Sequence, residues 1–253
     1  MSESTVDLST TVAGVRLPFP AMNAAGVITG SGDLRTLAHS RTGAIVLKST
    51  TVHPFVHPEF RSLHNPGYDK IVPMARELVG LGKAPVIASI AGTSAEEYAT
   101  LGRAFAEAGV SLLEANLADP YIATTFGPFD APGRIPELLG RLARETTVPI
   151  AVKIPEHHMR MPLELLTQEL ASLKIRVIVI KNDFIGFEKF QLEAGPEFEF
   201  ITVGGIQSGY DVTRALQKGA KAVQVGSALV TEGTAIFTRF EREMRIARTD
   251  RHG

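Results

Sequence analysis

VGGIQSGYDVTRALQKGAKAVQVGS, Val203 to Ser227, decides the fold. It opens at the end of an apolar run, Glu199 to Val203, and breaks at Gly204 and Gly205. A stretch of helical period follows from Tyr210 to Lys218. A second short apolar run, Ala222 to Val225, then breaks at Gly226 and Ser227. The pattern is strand, helix, strand, with glycine at both strand ends. Glycine there lets backbone N–H groups come close to an anion, and a helix starting just beyond adds a favourable dipole. Ser227 adds a hydroxyl donor. Two such turns on consecutive strands are where a (β/α)8 barrel commonly holds a phosphate.

Six further apolar runs precede this unit: Ala21 to Ala25, Ala44 to Ser49, Pro85 to Ile90, Ser111 to Leu117, Pro149 to Ile154 and Val177 to Lys181. They are rich in Val and Ile and show little alternation, as expected of parallel strands covered on both faces. Amphipathic stretches lie between and after them. Ala95 to Ala108 has Thr93 and Ser94 as caps and Glu96 and Glu97 in its first turn. Arg134 to Glu145, Pro162 to Leu173 and Thr234 to Ala247 read as helices too, and Ile71 to Leu81 reads as a weaker one. Strands alternating with helices fit a closed barrel or a doubly wound sheet. The first strand-to-helix turn lacks the G-x-G-x-x-G of a dinucleotide-binding sheet. With no Gly, Pro or Ser linker to divide it, the chain is expected to be one α/β domain, residues 1–253, folded as a (β/α)8 or TIM barrel.

Composition excludes several classes of function. With 26 basic and 27 acidic residues the net charge is −1, so no field of one sign predicts nucleic acid or an anionic membrane as partner. The absence of cysteine removes thiolate nucleophiles, disulfides and cysteine-held zinc or iron–sulfur clusters. MSESTVDLST has neither a basic start nor an apolar run, so no signal peptide is expected, and every apolar run is too short for a membrane span. A cytoplasmic location is the expectation. His53, His57 and His64 share a loop and His157 and His158 follow the fifth strand, but nothing fixes a tetrahedral set, so no metal is expected.

Val203 to Phe237 closely resembles the C-terminal region of class 1 dihydroorotate dehydrogenases. MNAAGV (Met22 to Val27), KST (Lys48 to Thr50), SIAG (Ser89 to Gly92), ANLADP (Ala115 to Pro120) and VKIP (Val152 to Pro155) also resemble that family, in the family's order. The soluble, dimeric branch that passes electrons to fumarate is nearest in pattern. The resemblance implies bound flavin mononucleotide (FMN), a small-molecule substrate such as dihydroorotate, and a homodimer. It also implies roles, residue by residue. Ala24, Ala25 and Gly26 match the loop along the flavin ring. Lys48 and Ser49 match the lysine and serine near flavin and substrate, and Asn116 an asparagine touching both. Lys153 matches the lysine at the flavin's N1 and O2 edge, where a fixed ammonium stabilises the anionic reduced ring. Gly204, Gly205, Gly226 and Ser227 match the phosphate cradle.

The substrate half departs from the family. Asp119 stands where the soluble branch has a cysteine base and other branches a serine. It reads either as a general base or as a turn residue before Pro120. Tyr121 replaces an asparagine contact, and Asn182 and Asp183 stand at the substrate-binding asparagine and serine. The loop after the second strand keeps Arg61 and Asn65, but HNPGY replaces the family's substrate motif. Phe184 to Phe198 is short where the family carries a long glycine-rich insertion. Asp119 and Asp183 together would repel an anionic substrate unless paired; Arg61, His53, His57 and His64 are the candidates to offset them.

Three functions remain open at this level. The first is dihydroorotate oxidation, with Lys48 flanking the chemistry and Asp119 as its base. The second is a flavin-holding pseudoenzyme or sensor. The third is a flavin-free aldolase-type barrel forming a Schiff base at Lys153 or Lys181.

Overall fold

The computed structural model describes residues 7–56, 64–118, 132–155, 161–182 and 186–249. A short hairpin, β1 (Thr10–Val12) and β2 (Val15–Leu17), comes first. The order then runs β3 (Ala21–Asn23), α1 (Ser31–Ala38), β4 (Ile45–Val46), α2 (Tyr68–Leu81), β5 (Val86–Ile90), α3 (Ala95–Glu107) and β6 (Leu112–Asn116). It continues through α4 (Arg134–Glu145), β7 (Ile150–Lys153), α5 (Leu163–Ser172), β8 (Val177–Lys181), α6 (Gly186–Ala194) and β9 (Glu199–Val203). The last elements are α7 (Gly209–Gln217), β10 (Ala222–Val225), α8 (Ser227–Glu232) and α9 (Ile236–Thr249). Every apolar run read as a strand is one, and β8, β9 and β10 keep the expected boundaries.

The eight strands β3 to β10 form one sheet in the order β3-β10-β9-β8-β7-β6-β5-β4, and each paired neighbour is parallel. β3 and β4 meet where the order closes. There the Gly43 N–H donates to the Ala21 carbonyl at 2.8 Å. Asn23 completes the seam with its side chain: Oδ1 accepts from the Val46 N–H at 2.8 Å and Nδ2 donates to the Val46 carbonyl at 2.6 Å. A carboxamide thus substitutes for a strand's peptide group. Gly43 is needed at this crossing, because a Cβ there would sit 1.7 Å from the Phe19 carbonyl oxygen. The architecture is the (β/α)8 barrel the sequence predicts.

Buried apolar residues divide into two clusters, and the division follows the strand alternation. Met22, Val46, Ile87, Leu112, Ala151, Val179 and Ile201 belong to one, the barrel interior. Their strand neighbours Ile45, Ala88, Leu113, Val152, Ile178 and Phe200 belong to the other, with helix residues such as Leu34, Tyr98, Leu138 and Phe237. Val12 and Leu17 join the interior cluster, so the hairpin plugs the barrel at the strands' N-terminal end. Its turn uses Ala13 at φ +48 and Gly14 at φ +78, and the Ala13 N–H donates to Glu199 Oε2 at 2.6 Å.

Candidate functional site

The alternation that sends Leu112, Ile87, Ala151 and Ala222 inward also sends Glu114, Ser89, Lys153 and Gln224 inward, nearer the strands' C-terminal ends. A polar layer therefore lies on the apolar filling. Glu114 is 1% exposed, and Ser89 and Gln224 are 0% exposed. Burial at this level demands partners, and each has them. Glu114 accepts from Ser89 Oγ at 3.0 Å and from Gln224 Nε2 at 2.5 Å. Lys153 Nζ donates to Gln224 Oε1 at 3.4 Å and stands 3.9 Å from Glu114 Oε1. Ser49 Oγ lies 3.1 Å from Ser89 Oγ, and Asn116 Nδ2 donates to Ser49 Oγ at 2.7 Å. Three residues expected at the site, Ser49, Asn116 and Lys153, are thus brought into one network.

Glu114, Ser89 and Gln224 are additions that the motifs did not single out as site residues. Each is a polar residue inside a buried, largely apolar strand: LLEAN, VIASI and AVQV. In a barrel, a charge at an inward position needs a partner of opposite charge close by, and that signal points from Glu114 to Lys153 on the adjoining strand.

The first strand-to-helix loop continues the ladder: the Ala24 N–H donates to the Val225 carbonyl at 2.9 Å. Ala24 is buried, Ala25 half-buried, and Gly26 turns the chain at φ +78. A Cβ on Gly26 would sit 3.9 Å from Lys48 Nζ, so that loop and Lys48 adjoin. Gly26, Lys48 and His64 line a cavity of about 460 Å³ whose apolar walls include Val27, Leu34, Ile71 and Met74. Asn65 clamps the loop that borders it. Its Nδ2 donates to the Ser49 carbonyl and its Oδ1 accepts from the Gly67 N–H at 3.0 Å.

At the two glycine turns expected to hold a phosphate, Gly204 has φ +88 and Gly205 φ +68, a backbone region that favours glycine. A Cβ on Gly204 or Gly226 would meet nothing within 4 Å, so both border open space. Ser227 is exposed and begins α8. The start of α7 is already occupied. Ser208 and Asp211 form a capping box there, and Asp211 Oδ2 also accepts from the Gln207 N–H at 3.0 Å. The α7 dipole is therefore offset by the chain's own carboxylate. Asn182 is 6% exposed, and neither its Nδ2 nor its Oδ1 has a partner among the described residues. It lies beside Gly205, whose Cβ would sit 3.7 Å from Asn182 Nδ2. A buried carboxamide with no partner, next to open glycine turns, fits a polar ligand such as a flavin nucleotide.

Asp119, Tyr121, Asp183, Arg61, His57, His157 and His158 lie outside the described residues. Among the described residues no three His, Cys, Asp or Glu side chains stand together as metal ligands, and no helix is long and apolar enough to cross a membrane.

A family model for dihydroorotate dehydrogenase matches residues 188–247. The dihydroorotate dehydrogenase (fumarate) of Trypanosoma cruzi is 30% identical, covering 89% of this chain and 88% of its own. The catalytic subunit of a dihydroorotate dehydrogenase B (NAD(+)) from Thermoplasma acidophilum is 27% identical over 96% of this chain and 94% of its own. Among solved structures, a DHODH from Eimeria tenella in complex with ferulenol superposes with a TM-score of 0.81, over 96% of this chain and 85% of that one. At 13% identity that likeness speaks to the fold alone. The match to the Trypanosoma enzyme over 89% of this chain makes it a member of the dihydroorotate dehydrogenase family.

Proposed function

We propose that this chain oxidises dihydroorotate to orotate, a step of pyrimidine biosynthesis, with FMN held at the strand C-terminal ends. The observation that carries the reading is the buried polar layer in which Lys153, Asn116 and Ser49 are joined below an open mouth. Gly204, Gly205, Gly226 and Ser227 are the proposed phosphate holders, and Ala24, Ala25, Gly26, Lys48, Ser49, Asn116 and Lys153 the proposed flavin neighbours. When bound there, the flavin supplies a two-electron acceptor for hydride.

The protein's part is placement and charge. Lys153, anchored by Gln224 and Glu114, sets a fixed ammonium where negative charge gathers. The Asn116 carboxamide is aimed by two contacts, to Ser49 Oγ at 2.7 Å and from the Ala118 N–H at 3.2 Å. Lys48 brings a second cation toward an anionic substrate, and Asn65, Asn182 and Asp183 are the remaining proposed substrate contacts. Asp119 is the proposed base, holding the proton that the substrate carbon loses beside its departing hydride. Lys153 is committed to Gln224 and Glu114, an arrangement suited to a fixed cation and opposed to the free amine a Schiff-base barrel needs. We take residues 1–253 to be one flavin-holding domain that works as a cytoplasmic homodimer on a small molecule, with neither nucleic acid nor membrane as partner.

Anaerobic mixing of the FMN-loaded protein with dihydroorotate tests the reading. Bleaching of the visible flavin band, with orotate formed in equal amount, is the expected result. A flavin that stays oxidised would return the protein to the pseudoenzyme class.

A further inference from the structure

We propose that Glu114 is a positioning residue, whose buried carboxylate sets the direction of every hydrogen bond in the side-chain relay that runs from Lys153 on β7 through Gln224, Ser89 and Ser49 to Asn116, its ladder neighbour on β6. The proposal rests on the reading that the mouth holds a flavin, and it goes beyond that reading by assigning a role to a residue that sits below the reacting atoms.

The hydrogen-bond directions follow from a count of protons. An ionised carboxylate only accepts. Ser89 Oγ, 3.0 Å from Glu114 Oε1, therefore gives its single proton to Glu114. Ser89 has then none to give Ser49, so across the 3.1 Å contact Ser49 is the donor. Ser49 in turn must accept from Asn116, and Asn116 Nδ2 is the atom found 2.7 Å away. The Asn116 Oδ1 is left for the Ala118 N–H at 3.2 Å. On the other side, Gln224 Nε2 lies 2.5 Å from Glu114 Oε2. That turns Gln224 Oε1 toward Lys153 Nζ, at 3.4 Å. A flipped Gln224 would set oxygen against oxygen at one end and nitrogen against ammonium at the other. One anion thus fixes two hydroxyl rotors and two carboxamides drawn from the segment after β4 and from β5, β6 and β10, and anchors the ammonium on β7.

The same carboxylate acts on charge. It stands 3.9 Å from the Lys153 ammonium, and both lie in a lumen where screening by water is weak. Glu114 therefore offsets part of the positive field that Lys153 directs at a ligand in the mouth. Removing the negative charge strengthens that field and favours a reduced, anionic flavin.

Two variants, studied loaded with FMN and also flavin-free, test the assignment. Glu114→Gln removes the charge and adds an N–H₂ that Ser89 can accept only by reversing its hydroxyl, and Gln224 only by turning its own N–H₂ toward Lys153. The double variant Glu114→Gln/Gln224→Glu restores every donor–acceptor match. Its Gln accepts from Ser89 and donates to the new Glu, whose second oxygen accepts from Lys153. The expected result is a raised midpoint potential of bound flavin in the single variant, measured by equilibration with a reference dye, and a return towards the parent potential in the double variant. In the flavin-free chain, Tm falls in the single variant and recovers in the double. A single variant with the parent's potential overturns the proposal, as does a double variant that fails to fold or stays displaced like the single. Should the single variant not fold, a folded double variant with the parent's potential supports the proposal. A parent that takes up no FMN defeats the flavin reading alone, and the Tm comparison then decides the role of Glu114.

Discussion

The carboxamide of Asn23 pairs with both backbone groups of Val46, taking its N–H at 2.8 Å and giving a hydrogen to its carbonyl at 2.6 Å. It is the side-chain clasp of the barrel at the one junction between neighbouring strands where the regular ladder stops. Asn23 is fully buried, so both Val46 groups lose their partners if the amide goes. Asn23→Leu is expected to cost about 3 kcal/mol, the sum of two buried backbone groups left without partners. Asn23→Asp keeps the acceptor but sets a carboxylate oxygen against the Val46 carbonyl, so it is expected to be no better. Urea unfolding midpoints read at constant m-value check both.

Gly226 offers a way to separate holding the flavin from holding the fold. A Cβ placed there meets no protein atom within 4 Å. Gly226→Ala is therefore expected to fold while filling the room proposed for the phosphate, weakening FMN binding tenfold or more, about 1.4 kcal/mol. The ratio of flavin to protein absorbance after desalting, with a titration of FMN into the stripped chain, measures it. Unchanged FMN affinity would move the phosphate away from the second glycine turn.

The Arg41–Glu241 pair ties the loop after α1 to α9 through two contacts, at 2.6 and 2.8 Å. The hydrogen bond from Arg41 holds the Glu241 carboxyl below its ordinary value of 4.5, aided by Arg245 and opposed by partial burial. A depressed carboxylate contributes stability that is present above its unfolded value and is lost as pH falls through its folded value. Glu241→Gln is expected to lower stability by about 1 kcal/mol near neutral pH, a figure discounted because Arg41 is half exposed. The deficit should shrink below pH 4.5 and vanish once the parent carboxyl is protonated. Parallel unfolding curves at several pH values read this directly, and a deficit independent of pH would point to lost packing instead.

The parts of this protein that were legible in its sequence share a physical reason. β8, β9 and β10 are covered on both faces, so they read as unbroken apolar runs with sharp ends. α1 escaped because Gly30, Ser31 and Gly32 at its start read as loop, and its N-cap Gly30 gives no side-chain signal. α6 escaped because GFEKFQLEA occupies a segment that the resemblance marks only as a shortened insertion. The β1–β2 hairpin escaped because its turn puts Ala13, and not Asn or Asp, at positive φ. At the site, the family resemblance marked Lys48, Ser49, Asn116 and Lys153, and Lys48 and Lys153 also stood out because each ends an otherwise apolar strand. Glu114 and Gln224 lie one step deeper, where only the inward or outward sense of the strand, known once the barrel is drawn, gives a polar residue its meaning.

Asp119 carries the sharpest test of the chemistry, because the proposed function needs a proton acceptor and this chain has no cysteine to serve. Well-placed acid–base groups contribute about 10²- to 10⁴-fold to rate. Asp119→Ala is accordingly expected to slow flavin reduction by dihydroorotate at least 100-fold while FMN stays bound, since the proposed flavin neighbours are untouched. In single-turnover mixing, the loss should fall on the rate at saturating substrate and not on substrate affinity. A working base also requires the parent's reduction rate to rise with pH as its carboxyl ionises and the variant's rate to lose that rise. Were Asp119 only a turn residue before Pro120, the variant would instead lose stability and keep the parent's pH profile.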